Sequence, residues 1–368
     1  MFDFSGWGSE MKRSAKWLLV LAGVAISGIL AVRHYQADVG LMLFQRAVDA
    51  RVGRDNTASL PDGLHIGLCG TGSPLPNADR AGACTVVMAG KHIYVVDAGE
   101  GGARNIALMG IPNGKIDGLF LTHFHSDHMD GLGPMMLLRW TGSSAKAPLA
   151  VYGPTGVDAV IAGFNAAYAQ DNSYRIAHHD EDIVPPSGAG ATAMPFAMDG
   201  DSTVVLEKDG LTVTAFKVDH DPVSPAVGYR FDYKGRSVVV SGDTAKSAVL
   251  ERVAKGADIL LHEALQPKLV TKMTDALDKK GLGNTAKITK DILDYHASPE
   301  EAADSALKAG VGQLVFTHIV PPFPSRFFNP AFLGDAPKRF KREIVVGEDG
   351  MLFSLPAGSK TISRQELM

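Results

Sequence analysis

The sequence contains little cysteine and no excess of basic residues. Only two cysteines, Cys69 and Cys84, occur in 368 residues, so a disulfide-rich scaffold and a cysteine-rich zinc site are both excluded. Lys and Arg number 36 against 40 Asp and Glu, which leaves no broad cationic surface for coating nucleic acid. Glycine and proline are frequent but not periodic, which excludes collagen-like and low-complexity proteins. A metal held by this chain must therefore use histidine and carboxylate ligands.

Only one long apolar run is present, and it lies near the N-terminus. Lys12, Arg13 and Lys16 precede 16 uncharged residues, 17–32, a length between that of a signal-peptide core and a full membrane span. Basic residues on the N-terminal side favour an inward-facing start and export of the rest of the chain. The sequence therefore predicts an uncleaved signal anchor over 1–36. A cleaved signal peptide and a buried core helix are the alternatives.

The sequence after this segment is typical of a domain built around a β-sheet. A mixed stretch, 37–62, is expected to be a linker that includes a short helix. Beyond it, short apolar runs alternate with helical stretches and Gly-rich turns, which is typical of α/β or α+β folds with a sheet core. A helix over 299–309 has clear boundaries, with Ser298 as N-cap, Glu301 completing a capping box and Gly310 as its end.

Three histidines and an aspartate occur within six positions at the end of a predicted strand. In an extended segment alternate side chains point the same way, so His123, His125 and Asp127 are expected to project together. His128 would join them from the start of the next helix. Imidazole and carboxylate are ligands that catalytic zinc prefers, with a position left open for water. The spacing therefore indicates a metal site rather than a cluster of hydrogen-bonded histidines.

This H-x-H-x-D-H signature resembles that of the metallo-β-lactamase-fold hydrolases. Further motifs, in matching order and spacing, are similar to the branch that contains ribonuclease Z and the zinc-dependent arylsulfatases. They are Gly70-Thr-Gly-Ser-Pro74, Val96-Asp-Ala-Gly-Glu-Gly101, Val151-Tyr-Gly-Pro-Thr-Gly156, Val218-Asp-His220, Ser241-Gly-Asp-Thr244, Leu261-His-Glu-Ala264, His296-Ala-Ser-Pro299 and Thr317-His318. The resemblance implies an α+β fold over 63–368, a four-layer αββα sandwich with the metal site at one edge of its two sheets.

The resemblance also implies a set of metal ligands. His123, His125 and His220 would hold one Zn²⁺, Asp127, His128 and His318 would hold the other, and Asp243 would bridge the two. Mn²⁺ or Fe²⁺ are alternatives, because both accept the same ligand types. Taken singly, a lone histidine is more often a structural residue and a Gly-Asp-Thr turn more often an Asx-turn. The occurrence of all seven residues in the order found in the family favours metal ligands over structural residues.

Three residues are expected to take part in the chemistry implied by the resemblance. Asp127 would orient the attacking hydroxide while remaining a ligand. His296 would bind the scissile group and help to protonate the departing oxygen, and Glu263 lies in a motif that supports it. A helix-flanking surface histidine is the alternative for His296. His178 and His179, which precede an acidic run, are expected in a solvated loop or pocket rim.

Several departures from ribonuclease Z guide the prediction of substrate. Ribonuclease Z carries a basic RNA-gripping arm before the third histidine ligand, whereas 154–219 holds three basic residues against ten acidic ones. Leu265 follows His-Glu-Ala, about thirty residues separate that motif from His296, and Ile319-Val-Pro-Pro-Phe follows the last histidine. These departures favour an arylsulfatase-like or phosphodiesterase-like hydrolase of small-molecule esters over an enzyme that binds nucleic acid. Export, which the N-terminal segment predicts, favours the same function and would place the protein in the periplasm or outward-facing on the membrane.

Three alternatives to this function are kept. They are a ribonuclease Z-type endoribonuclease that processes the 3′ end of transfer RNA, a lactonase or β-lactamase using the same centre, and a non-catalytic member of the fold. Contact with a membrane is expected through the N-terminal segment. The sequence leaves open the oligomeric state, a homodimer included, and whether Cys69 and Cys84 are paired.

Overall fold

The computed structural model describes residues 7–368, with side chains from Ala15 onward, and the chain divides into two units at Arg54. The first unit contains one helix, α1 (Trp7–Arg51), which continues through the stretch where a separate short helix is expected. Its portion Ala15–Arg51 is long and apolar enough to cross a membrane. No residue of the apolar 18-residue stretch within it is buried against the rest of the described chain. A signal sequence meets the same criteria of length and composition. The predicted anchor includes residues 1–6, which lie outside the part of the chain that the structure describes. The side chains of Lys12 and Arg13 also lie outside it.

The second unit, Asp55–Met368, is built on two sheets. Its strands are β1 (Gly63–Gly70), β2 (Cys84–Ala89), β3 (His92–Val96), β4 (Ile116–Phe120), β5 (Leu149–Pro154), β6 (Ala191–Phe196), β7 (Ser202–Lys208), β8 (Leu211–Lys217), β9 (Val227–Tyr233), β10 (Arg236–Val240), β11 (Ile259–Leu265), β12 (Gln313–Val320), β13 (Ile344–Val346), β14 (Met351–Pro356) and β15 (Ser363–Glu366). One sheet has the order β15-β14-β1-β2-β3-β4-β5-β6, and the other has the order β13-β12-β11-β10-β9-β8-β7.

Helices lie between and beside these strands. They are α2 (Gly102–Leu108), α3 (Ser126–Met129), α4 (Leu132–Thr141), α5 (Val157–His179), α6 (Ala248–Val253), α7 (Pro267–Lys279), α8 (Gly283–Asp291), α9 (Pro299–Ala309), α10 (Asn329–Leu333) and α11 (Ala336–Arg339). Short 3₁₀ turns occupy Asn113–Lys115, Pro186–Gly188 and Arg326–Phe328.

Three apolar layers hold this unit together. The layer between the sheets includes Phe120 and Phe231, which lie edge to face with ring centroids 5.7 Å apart. The outer face of the first sheet packs on α4 and α5, where Met135 is fully buried. The outer face of the second sheet packs on α6 and α9, where Ala306 is fully buried. Burial of each large apolar side chain contributes about 1.5–3 kcal/mol, and the result is the predicted αββα sandwich.

Local signals in the sequence fix two boundaries, and the first of them is the predicted start of the helix over 299–309. In α9 the Ser298 hydroxyl accepts from the Glu301 N–H at 3.2 Å, and the Glu301 carboxylate accepts from the Ser298 N–H at 2.9 Å. Between β9 and β10 the two-residue turn Lys234-Gly235 has φ of 46° and 78°. Positive φ at both positions is what a type I′ hairpin turn needs. These features depend on neighbours in the sequence.

The end of α5 differs from the sequence-based prediction, and the state of the two cysteines answers a question that the sequence leaves open. Helix α5 runs to His179, so His178 and His179 lie in its last turn, not in a loop, because no Gly or Pro interrupts the chain between Gly163 and that point. Cys69 and Cys84 form a disulfide that joins β1 to β2. The pairing that the sequence leaves open is thus present.

Candidate metal centre

The predicted ligands come together at one edge of the sandwich. Strands β3, β4, β5 and β6 are mutually parallel, as are β10, β11 and β12, so their carboxyl ends share an edge. His123 follows β4, His220 follows β8, Asp243 follows β10, and His318 lies near the end of β12. All four side chains are buried, and His125 is half-buried. Side chains at the ends of rigid strands keep fixed positions, as a metal site requires.

One cluster contains His123, His125, His220 and Asp243, whose ligand atoms all lie within 4.8 Å of one another. The Nε2 atoms of His123 and His220 are each 4.0 Å from Oδ2 of Asp243. The Nδ1 atom of His220 lies 3.0 Å from the carbonyl oxygen of Tyr295. Donation to that carbonyl places the proton on Nδ1 and leaves Nε2 free to face the cluster.

A second cluster contains Asp127, His128 and His318. Oδ2 of Asp127 lies 3.1 Å from Nε2 of His318 and 3.5 Å from Nε2 of His128. Asp127 belongs to helix α3 and not to an extended segment, because the chain turns directly after His125. This turn separates Asp127 from the first two histidines and directs it to His318. The extended geometry expected for this motif therefore ends at His125.

Asp243 lies between the two clusters. Its Oδ2 atom is 3.3 Å from Nε2 of His128 and 3.4 Å from Nε2 of His318, in addition to its contacts with the first cluster. One carboxylate thus approaches histidines of both groups, in the place where the resemblance implies a bridging ligand.

His318 reaches the site through an irregularity in β12. Thr317 pairs with Glu263 and Ile319 pairs with Ala264, so His318 has no partner on β11. Its φ is 45°, a left-handed conformation that is costly for a residue with a side chain. The bulge re-aims the imidazole from the sheet face to the edge where the other predicted ligands lie.

Asp97 also belongs to the site, although no pattern in the sequence predicts a role for it. It follows β3, and its Oδ2 atom lies 2.9 Å from Nδ1 of His128. Its Oδ1 atom accepts the N–H of Thr122 at 2.8 Å. A carboxylate on the far nitrogen of a ligand histidine fixes the ring orientation and the tautomer. The signal available in the sequence is the Val96-Asp-Ala-Gly motif.

Burial and mutual charge shift the pKa values in this centre. Burial lowers the pKa of His123 well below its ordinary value. Burial also opposes charge on His128, but the carboxylates of Asp243 and Asp97 outweigh it and raise the pKa of His128 well above its ordinary value. Asp243 shows the converse, since His318 and His128 overcome burial and hold its pKa well below the usual range. The centre is thus built around a buried carboxylate that requires a positive partner.

These donors fit a divalent cation. The buried Nε2 atoms of His123 and His220, and Oδ1 of Asp243, have no hydrogen-bond partner among the residues the structure describes. Buried polar atoms without partners are costly, so their convergence around one carboxylate favours a cation that accepts their lone pairs. The two clusters with a shared carboxylate could hold two such ions.

His296 and Glu263 form a pair beside the predicted ligands. Nδ1 of His296 lies 3.2 Å from Oε2 of Glu263, and Oε1 of Glu263 accepts the N–H of Ala297 at 2.8 Å. The side chain of His296 is only 7% exposed. Burial opposes its charged form, but the Glu263 carboxylate raises the pKa of His296 to about 9. The imidazole is therefore held protonated near neutral pH, within reach of Asp243 and His318.

Comparison with known proteins places the chain in a family. The family model described as the β-lactamase superfamily domain matches residues 92–319, more than half of the chain. The chain belongs to the metallo-β-lactamase superfamily. Ribonuclease Z of Mycolicibacterium gilvum is 37% identical over 289 residues, which cover 78% of this chain and 94% of that protein. Ribonuclease Z of Mycobacterium avium is 38% identical over 260 residues, which cover 70% of this chain and 86% of that protein. These relatives put the chain in the ribonuclease Z branch of the superfamily.

Solved structures agree on the fold. The metallo-β-lactamase fold protein YhfI from Bacillus subtilis has a TM-score of 0.57 at 20% identity, over 79% of this chain and 99% of that one. The short form of human tRNase Z has a TM-score of 0.54 at 21% identity, over the same shares. At these identities the likeness concerns the sandwich alone.

The prediction of a small-molecule ester substrate in preference to nucleic acid is wrong. Relatives that share 37% of their residues across almost their whole length are ribonucleases by name. The comparisons give no support to the arylsulfatase-like function. The error comes from reading one acidic segment, 154–219, as if it described the whole surface, although basic residues elsewhere in the chain can contact a phosphate backbone.

Proposed function

We propose that this protein is a metal-dependent endoribonuclease that hydrolyses phosphodiester bonds in RNA as ribonuclease Z does. The observation that carries the proposal is the 37% identity across 94% of the Mycolicibacterium gilvum ribonuclease Z, combined with the two adjoining His/Asp clusters. A fold alone would not carry it, because one fold hosts many functions.

The centre would hold two ions, for which Zn²⁺ is the proposed identity. His123, His125 and His220 would hold one, Asp127, His128 and His318 the other, and Asp243 both. When bound, a pair of divalent cations supplies hydroxide at neutral pH and neutralises the charge that develops on a phosphodiester. Imidazole and carboxylate together suit zinc, and they also accept manganese or iron.

Protein groups would position the reactants and move the proton. The Asp127 carboxylate would orient the attacking oxygen. His296, protonated and anchored by Glu263, would donate its proton to the oxygen of the departing strand. Glu263 is a positioning residue, because its two oxygens face the His296 ring and the Ala297 N–H and so fix both.

We also propose that α1 anchors the catalytic unit and that this unit faces outward. The apolar helix and the basic residues that precede it support this orientation, as does the Cys69–Cys84 disulfide, because disulfides persist in oxidising compartments. In that position the natural substrate is RNA outside the cytoplasm. A transfer RNA precursor remains the appropriate test substrate, since the bond cleaved is the same.

The test is cleavage of a transfer RNA precursor by the full-length, zinc-loaded protein in detergent. We expect endonucleolytic cleavage, about two zinc ions per chain, and loss of both in His123→Ala and Asp243→Asn. Asp180→Asn is the matched control, because Asp180 lies at the exposed end of α5 and has the positive φ that asparagine tolerates. An intact RNA after incubation with the zinc-loaded protein, or full activity without metal, would show that the proposal is wrong.

The orientation is tested separately with a tag after Met368. External protease should remove the tag in spheroplasts of the expressing cells. A tag that resists protease until the cells are lysed would place the catalytic unit on the cytoplasmic side and contradict the outward orientation.

A further inference from the structure

Helices α7 and α8 form a helical hairpin, which lies between Glu263 and His296 in the sequence. The segment 267–291 carries six lysines and three aspartates, whereas the whole chain has a net charge of −4. This is the stretch of about thirty residues that lengthens the spacing between the His-Glu-Ala motif and His296. The metal chemistry uses none of its side chains, so the segment needs another explanation.

The two helices of the hairpin contact each other along their length. The hydroxyls of Thr274 on α7 and Thr289 on α8 lie 2.7 Å apart in its buried seam. Lys290 on α8 forms an ion pair at 3.0 Å with Asp278 on α7. These contacts hold α7 and α8 against each other.

Both ends of the hairpin lie at the metal centre. Helix α7 begins just after β11, which carries Glu263, and Val270 packs with Leu265 and Val320 at the ends of β11 and β12. After α8 the chain leads through Tyr295, whose carbonyl oxygen contacts the ligand His220 at 3.0 Å. Helix α7 has 13 residues, so the tip of the hairpin lies about 20 Å along the helix from its base.

Four lysines of α7 and the adjoining turn are exposed and have no ion-pair partner within residues 15–368. Lys268 lies at the base of α7, and Lys272, Lys279 and Lys280 lie between its middle and the tip of the hairpin. Lys272 and Lys279 lie seven positions apart on one face of α7, with Asp275 between them. That face therefore carries a net positive charge from the middle of α7 to its tip.

We propose that the α7–α8 hairpin is the RNA-binding arm of this protein, with Lys272, Lys279 and Lys280 on the phosphates of the strand that leads away from the metal centre. The inference rests on the proposed ribonuclease function. A span of about 20 Å matches roughly six steps of a duplex strand at 3.4 Å each, so several phosphates come within reach. The hairpin supplies the positive charge that the segment 154–219 lacks.

The test compares two triple variants of the full-length, zinc-loaded protein in neutral nanodiscs. The first is Lys272→Gln/Lys279→Gln/Lys280→Gln. The control is Lys146→Gln/Lys255→Gln/Lys360→Gln, which removes the same charge from exposed positions. These control lysines lie near the amino ends of β5 and β11 and beyond the end of β14, at the edge opposite the metal centre.

Binding of a fluorescent transfer RNA precursor is measured against salt concentration, with zinc content and thermal melting as checks of folding. We expect the hairpin variant to bind the RNA about tenfold or more weakly at low salt, with a slope of log K against log salt smaller by about 2–3. The control variant should bind as the unchanged protein does. KM for RNA cleavage should rise in the hairpin variant while kcat stays the same.

Unchanged RNA affinity and salt slope in the hairpin variant would overturn the proposal, as would an equal loss in the control. If the unchanged protein binds RNA through the hairpin but does not cut it, the arm is supported and the ribonuclease function fails. If it does not bind RNA at all, both fail. The hairpin would instead bind anionic lipid if two results appear together. Nanodiscs that contain phosphatidylglycerol would protect the hairpin lysines from chemical acetylation, and the hairpin variant would bind RNA as tightly as the unchanged protein.

Discussion

Replacement of His296 by alanine separates metal binding from proton transfer. His296 is anchored by Glu263 at 3.2 Å, and this carboxylate raises the pKa of His296 to about 9, which favours the protonated imidazole at neutral pH. A positioned general acid contributes about 10²–10⁴-fold, or roughly 3–5.5 kcal/mol of barrier. We therefore expect His296→Ala to retain both metal ions and to lose kcat by this factor on RNA.

The dependence on pH gives a second measure of the same residue. A pKa raised in the folded protein means that the proton is present below that pKa and is lost as the pH rises through it, so the activity of the unchanged protein should fall on the alkaline side. Bound cations repel the imidazolium and bring the fall below pH 9. Two unit charges 3.2 Å apart attract by about 5 kcal/mol at an effective dielectric constant of about 20. Glu263→Gln, which removes this attraction, should move the alkaline fall down by more than about one pH unit.

The assay compares leaving groups. Nitrophenolate departs from an aryl phosphodiester without a proton, whereas the ribose oxygen of RNA needs one, so His296→Ala should be far more deficient on RNA than on the aryl ester. Metal content is measured in the same preparations. An equal deficit on both substrates would refute the role as acid and leave His296 as a structural or binding residue, and loss of metal would make it a ligand.

Three further predictions concern the support of the centre. Asp97→Ala should weaken metal binding by about 10–100-fold, measured by competition with a chelator, because the orientation of His128 is lost; Asp117→Ala, at the amino end of β4, should not weaken it. Metal affinity should fall as the pH is lowered, because the raised pKa of His128 lets a proton compete with the ion, and titrations that show no dependence on pH would contradict this. Replacement of both Cys69 and Cys84 by alanine should lower the free energy of unfolding in urea by about 3 kcal/mol, as expected for a loop with a sequence separation of 15, and an unchanged midpoint and slope would show that the bridge adds nothing.

The sequence by itself determines the features that depend on near neighbours. The capping box at Ser298 and Glu301 and the two-residue turn at Lys234-Gly235 are readable because their hydrogen bonds and φ values involve residues a few positions apart. The H-x-H-x-D-H motif is readable for the same reason. The resemblance to a known family then extends these local signals to the αββα fold and to the remote ligands.

Only the tertiary structure decides how the distant parts meet. Asp243 lies between two histidine clusters because sheet pairing brings the ends of β4, β8, β10 and β12 to one edge, and no local pattern encodes that arrangement. Asp97 becomes the partner of His128 across 31 positions, and His318 enters the site only through a bulge in β12. The charge on the α7–α8 hairpin shows the same limit. Composition counts charges along the chain, whereas a phosphate backbone meets them in space, so an acidic segment in the sequence does not exclude a basic arm beside the centre.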